Sequence, residues 1–189
     1  MPVQIGRVES TFANPLGLLS DCHRRIERFL GILLAIAERD ARVPIGAEER
    51  SAVEAALNYF RDAAPNHTAD EEDSLFPRMV DAAANHPMAL ALIAELEAGH
   101  EGASSAHEEV DRLGREWTRT GILGAPDAAR LLRLLRELQG FYQRHIAAED
   151  NELFPLAGRM LQPEELAEVG REMRARRRLT DTTPEFLRS

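Results

Sequence analysis

Apolar residues recur along this chain at intervals of three and four through four long stretches, and each stretch carries titratable side chains in step with them. The first begins at Asn14-Pro15, with Asn as N-cap and Pro in the first turn, and runs through Leu16, Leu19, His23, Ile26, Leu30, Leu33 and Ala37. Residues 42–46, Arg-Val-Pro-Ile-Gly, break it. The second places Leu57, Phe60, Ala64, His67 and Glu71 on one stripe, and Pro65 within it predicts a kink just before His67 or a restart capped by Asn66. A turn from Asp81 to His86 leads into the third, with His86 an exposed loop residue. That third stripe holds Ile93, Leu96, His100, Ala103, His107 and Val110, closes at Trp117, and is followed by a loop from Thr118 to Pro126. The fourth carries Leu131, Leu135, Leu138, Tyr142, His145 and Glu149. Pro155 ends it, residues 156–161 connect, and Gln162-Pro163-Glu164-Glu165 opens a fifth helix over about 163–178, with Leu166, Val169 and Met173 as a modest apolar face.

No stretch alternates with the period of a strand, and glycine-rich phosphate loops are absent. The pattern predicts an all-α protein: an antiparallel up-down-up-down four-helix bundle over residues 14–160, with a short additional C-terminal helix within 161–179. Residues 1–13 are an irregular lead-in and 180–189 a flexible polar tail. The basic end of the fifth helix, Arg174, Arg176, Arg177 and Arg178, reads as favourable charge at a helix C-terminus rather than a nucleic-acid patch.

Composition narrows the picture. The 189 residues suit one domain with a real core, and 44% hydrophobic with 29% charged residues is a soluble globular balance. A net charge of −9 argues against nucleic acid or an anionic membrane as partner. The longest apolar run, FLGILLAIA at 29–37, is too short to span a bilayer. The N-terminus lacks an apolar signal core, so a cytoplasmic protein is expected. A single cysteine, Cys22, excludes an internal disulfide and most thiolate metal sites, and reads as a small core-flank residue. A protein partner and an oligomeric state are not indicated.

One short motif occurs twice. Residues 67–77, HTADEEDSLFP, and 145–155, HIAAEDNELFP, share H-x-A-x-E-[ED]-x-x-L-F-P. Each copy sets a His and a Glu four residues apart, His67 with Glu71 and His145 with Glu149, one turn apart on one helix face. His23 precedes His67 by 44 residues and His100 precedes His145 by 45, so each half of the chain supplies one lone His and then one H-x-x-x-E. Six polar groups therefore point into the bundle: His23, His67, Glu71, His100, His145 and Glu149. Uncompensated burial would cost several kcal/mol per charge, and cations resolve it. Carboxylates can bridge two ions about 3.5–4 Å apart. Imidazole and carboxylate without sulfur suit iron, manganese or zinc, and open positions with bridging carboxylates favour iron.

This ordered set resembles the hemerythrin-like (HHE cation-binding) family over about residues 15–160. The resemblance implies a four-helix bundle around two non-haem iron ions (Fe2+/Fe3+), with zinc or manganese as substitutes. His23 and His67 would bind one ion and His100 and His145 the other. Glu71 and Glu149 would bridge, with an oxo, hydroxo or water ligand completing the core. The implied function is binding or sensing O2 or a related diatomic or anionic ligand such as NO or peroxide, or handling iron. The alternative is a di-iron enzyme with oxidase, peroxidase or nitric-oxide-handling activity. The family's oxygen carriers have a further His four residues after the third-helix His. Here that position is Ser104, which leaves one ion an imidazole short. His107, about 10 Å along the helix from His100, is a poor substitute and reads as a supporting or core His. Glu27 and Tyr142 are further candidates, one as an extra carboxylate and the other as a hydrogen-bond donor to a bound ligand. Glu72 and Asp150, beside the bridging glutamates, read as exposed partners rather than ligands, and Glu152 reads as lying on the inner side with no role assigned.

Overall fold

The computed structural model describes residues 10–39 and 43–179, and these contain helices and connections but no strand. The frayed tail expected from Thr180 lies outside the described residues. Helix α1 spans Pro15–Glu38, and the Asn14 side chain caps it by accepting from the backbone N–H of Gly17 at 3.2 Å. The second rod is one continuous helical path: α2 (Ala47–Asn58), a π turn (Tyr59–Ala63), α3 (Ala64–Asp70), a second π turn (Glu71–Leu75) and α4 (Phe76–Ala82). The third is α5 (Pro87–Thr120). The fourth is α6 (Ala125–Ala148), a third π turn (Glu149–Leu153) and α7 (Phe154–Met160), and α8 (Pro163–Arg176) follows.

Pro65, Pro77 and Pro155 each disturb the helix, but none of them ends it. A proline lacks an N–H and its ring crowds the carbonyl four residues back. In each case the residue just before the proline donates to a carbonyl five residues back: Ala64 to Tyr59, Phe76 to Glu71 and Phe154 to Glu149. The single widened turn absorbs the ring and the helix continues. Asn66 is accordingly no cap, and residues 156–160 are helix rather than connection. The third helix also outlasts Trp117, ending where Gly121 takes a left-handed φ of 82° that suits only a residue without Cβ. The loop expected over 118–126 shrinks to 121–124.

The rods pack in a ring, α1 on α2, α2 on α5, α5 on α6 and α6 on α1. The Ile45 N–H donates to the Gly121 carbonyl at 3.0 Å, tying the α1–α2 connection to the end of α5. With short connections throughout, this fixes the antiparallel up-down-up-down order. Two hydrophobic clusters fill the bundle. One gathers Leu30, Leu33, Val53, Leu57, Leu113, Trp117, Leu131 and Leu135 with their neighbours. The other gathers Leu19, Leu75, Phe76, Met79, Ile93, Leu96, Leu153 and Phe154, extended by Val169 and Met173 from α8 and by Phe12 from the lead-in. On every rod the inward histidines and glutamates fall between the two clusters.

Candidate metal centre

His23, His67, Glu71, His145 and Glu149 are buried, and His100 is only slightly exposed. The structure brings all six into one layer. His23 and His67 meet edge to face with ring centroids 4.8 Å apart. His100 and His145 turn their Nε2 atoms toward each other at 2.8 Å. The two carboxylates lie between the pairs and divide their oxygens. Glu71 Oε1 is 3.5 Å from His67 Nε2 and 4.0 Å from His23 Nε2, while its Oε2 is 3.6 Å from His100 Nε2. Glu149 Oε2 is 3.1 Å from His23 Nε2, and its Oε1 is 3.0 Å from His145 Nε2.

These approaches do not satisfy the carboxylates. All four oxygens of Glu71 and Glu149 are buried without a hydrogen bond, as is His23 Nε2. Buried acceptors in this state are costly and rare. Burial, then the neighbouring Glu149, drives the Glu71 carboxyl well above the ordinary carboxylate range. Burial also opposes charge on Glu149, but contact with His145 and His23 outweighs it and pulls that group below the range. Burial, then His23 beside it, holds the His67 imidazole well below its ordinary value. Imidazoles and carboxylates thus converge with few partners beyond one another, a donor set that fits cations. Ligand atoms cluster in two sets: His23, His67, Glu71 and Glu149 in one, and His100, His145 and Glu149 in the other.

The motif's remaining positions hold the lone histidines. Asp150 Oδ1 is 3.1 Å from His23 Nδ1 and also accepts from Ser20 Oγ at 2.6 Å; Glu72 Oε1 is 2.8 Å from His100 Nδ1. A carboxylate only accepts, so Nδ1 carries the proton in each ring and Nε2 faces the centre. At 2.8 Å the Nε2 atoms of His100 and His145 require a proton or a cation between them. Burial opposes charge on His23, yet Asp150 and Glu149 push its pKa up to about 9. Phe154 stacks on His23 with an interplanar angle of 12°, and Phe76 lies parallel to His100 at 2°. Each copy of the motif therefore carries its own His and Glu together with an acid and a phenylalanine that brace the lone His of a neighbouring rod. Glu72 and Asp150, read as exposed partners rather than ligands, are half-buried and partner histidines. The repeat itself was the signal, since Phe76 and Phe154 are identical between copies and Glu72 and Asp150 are both acidic.

Glu27 is exposed on α1, away from the candidate ligand atoms, and Glu152 is exposed rather than inward. His107 joins neither ligand set; its Nε2 lies 2.8 Å from Tyr142 Oη, and burial lowers its pKa to about 4. Ser104 and this pair line a cavity of about 360 Å3 that also takes in the space between the two histidine pairs, with His23, His67, His100, His145 and Glu149 in its walls. Gly99 permits the close approach of α5 there, since a Cβ would stand 3.2 Å from His145 Nδ1. The C-terminal arginines have a definite task. Arg176 and Arg177 both pair with the fully buried Asp70, Arg177 Nη2 at 2.6 Å from Oδ2, and Arg176 also donates to Ser74 Oγ at 3.1 Å. Arg78 grips Glu172 at 2.7 and 3.0 Å, so α8 is clamped across the π turn that begins at Glu71.

A four-helix bundle with a buried layer of imidazoles and divided carboxylates is the architecture of a metal-binding helical protein. Comparison of the sequence with known families agrees: residues 14–157 match the hemerythrin HHE cation-binding domain. The chain belongs to that family. It is also 33% identical, over 175 residues, to a protein of Haemophilus influenzae described as uncharacterized, covering 91% of this chain and 95% of that one. No helix among the described residues is long and apolar enough to cross a membrane.

Proposed function

We propose that the protein holds a di-iron centre and uses it to bind or sense O2 or a related small ligand, such as NO or peroxide, or to handle iron. His23 and His67 would hold one ion, His100 and His145 the other, and Glu71 and Glu149 would bridge them. The observation that carries this reading is the division of four buried, hydrogen-bond-free carboxylate oxygens between two histidine pairs. Iron in such a site supplies redox chemistry and an open coordination position. The chain's own residues supply orientation, through Glu72 and Asp150 on the ring nitrogens, and exclusion of water by the two apolar clusters. Ser104 leaves the second pair without a further imidazole beside it, so the open position belongs on that side. Metal analysis of the purified protein is expected to find two ions per chain. Glu149→Ala should lose metal and thermal stability together, because ligands of the native state add to its folding free energy. Unchanged metal content in that variant would remove the bridging role.

The cavity that reaches the candidate ligands favours a second reading, a di-iron enzyme with oxidase, peroxidase or nitric-oxide-handling activity. An absorption band that appears on adding O2 and reverses under vacuum marks a carrier. Irreversible consumption of O2 with turnover marks the enzyme.

A further inference from the structure

We propose that the cavity beside His100 and His145 binds a neutral organic molecule of single-ring size bearing a hydroxyl group, phenol being the simplest member. The inference deepens the proposed function and rests on the reading of this cavity as the open face of the metal centre. Volume comes first. About 360 Å3 falls within the roughly 300–1,000 Å3 of small-molecule pockets, whereas a water-sized ligand takes about 30 Å3. Part of this space belongs to the ions, since His23, His67 and Glu149 also line it, and a diatomic molecule would leave the remainder along Phe60, His107 and Tyr142 to solvent. The room exists because Ala103 and Ser104 present small side chains to it from α5.

The walls define the chemistry. Five rings follow one another from the cavity's far side to the metal layer. Phe60 and His107 have centroids 5.3 Å apart, His107 and Tyr142 5.7 Å, Tyr142 and Phe141 5.1 Å, and Phe141 and His145 4.9 Å. Such surfaces receive another ring edge-on or offset. The polar handle is the Tyr142 hydroxyl. Its bond to His107 uses either its proton or one lone pair, so a ligand hydroxyl finds the remaining capacity. Side-chain charge disfavours the alternatives along the ring-lined wall: no Lys or Arg lines the cavity, Glu72 and Asp73 stand along it, and burial keeps His107 neutral. An organic cation would face the ions held by the histidine pairs.

Titration of the metal-loaded protein with phenol, toluene, benzoate and benzylammonium, followed by calorimetry and ligand-observed NMR, tests this. Phenol is expected to bind with a Kd on the order of 1 mM or tighter, and each of the other three about tenfold more weakly. Ala103→Phe, or Ser104→Phe if the first fails to fold, should fill the space and weaken phenol about tenfold with metal content unchanged. Tyr142→Phe should erase the preference for phenol over toluene. Absence of phenol binding at about 5 mM, equal binding by a folded filled variant, or tighter binding of benzoate or benzylammonium overturns the proposal. The two readings fail separately. Two ions per chain without phenol binding removes the pocket's ligand and spares the metal centre. Phenol binding lost on Ser104→Phe in a chain that takes up no metal does the reverse.

Discussion

Glu72 and Asp150 each stand one residue beyond an inward glutamate and face a histidine on the neighbouring rod. Their action is indirect: they fix which nitrogen carries the proton and how the ring sits. Glu72→Ala and Asp150→Ala should each weaken metal binding by about 10–100-fold in a chelator competition, with helicity intact. Equal affinity in both variants would show that the rings orient without them. His107 makes a different prediction. Its folded pKa, about 4, lies below the ordinary 6.5 because burial penalises the charged ring. The unfolded chain therefore binds the extra proton between those values, and the stability this residue contributes is present above pH 6.5 and declines toward pH 4. Between pH 7 and 5 the loss from this residue is about 2 kcal/mol, to order of magnitude. Urea unfolding of the native protein and of His107→Phe at the two pH values should differ by that slope. Identical slopes would mean that His107 takes up its proton as readily folded as unfolded.

At the scale of elements, the three π turns and α8 do what local propensity could not foretell. Two of the π turns begin at Glu71 and Glu149, so the widening forced by Pro77 and Pro155 falls where the carboxylates enter the layer. Read locally, a proline is a break; packed against three neighbours, the rod continues. The arginines at the end of α8 reach back to Asp70, whose counterpart in the second motif copy is Ala148, so the repeat gave no hint of this contact. Asp70 is fully buried, whereas Arg176 and Arg177 are about one-fifth exposed. Replacing both arginines with alanine leaves a buried carboxylate without a partner and should cost about 3–5 kcal/mol in urea unfolding. Adding Asp70→Asn to that variant should recover part of the loss. No recovery would mean that the arginines act through packing alone.

Across the whole molecule, a polar layer separates two apolar clusters that each draw on all four rods. Each cluster can keep its helices together without the layer, but the layer cannot be comfortable alone, because its carboxylate oxygens have no donors. Chelation should therefore lower the melting temperature while far-ultraviolet circular dichroism stays helical, and restoring metal should reverse the shift. Collapse of helicity on chelation would mean that the clusters do not suffice. The sequence by itself determined the class of fold, the six inward groups and the order in which they occur along the chain. Helical periodicity and an i, i+4 repeat are local properties, written along the chain whatever it packs against. Only the tertiary structure decided that Glu72 and Asp150 brace histidines, that the prolines are absorbed, that Glu27 and Glu152 face outward, and that Asp70 anchors α8. Each depends on which side chain arrives from another rod, and that is set by packing between segments far apart in the chain, as with His23 and Asp150, 127 residues apart.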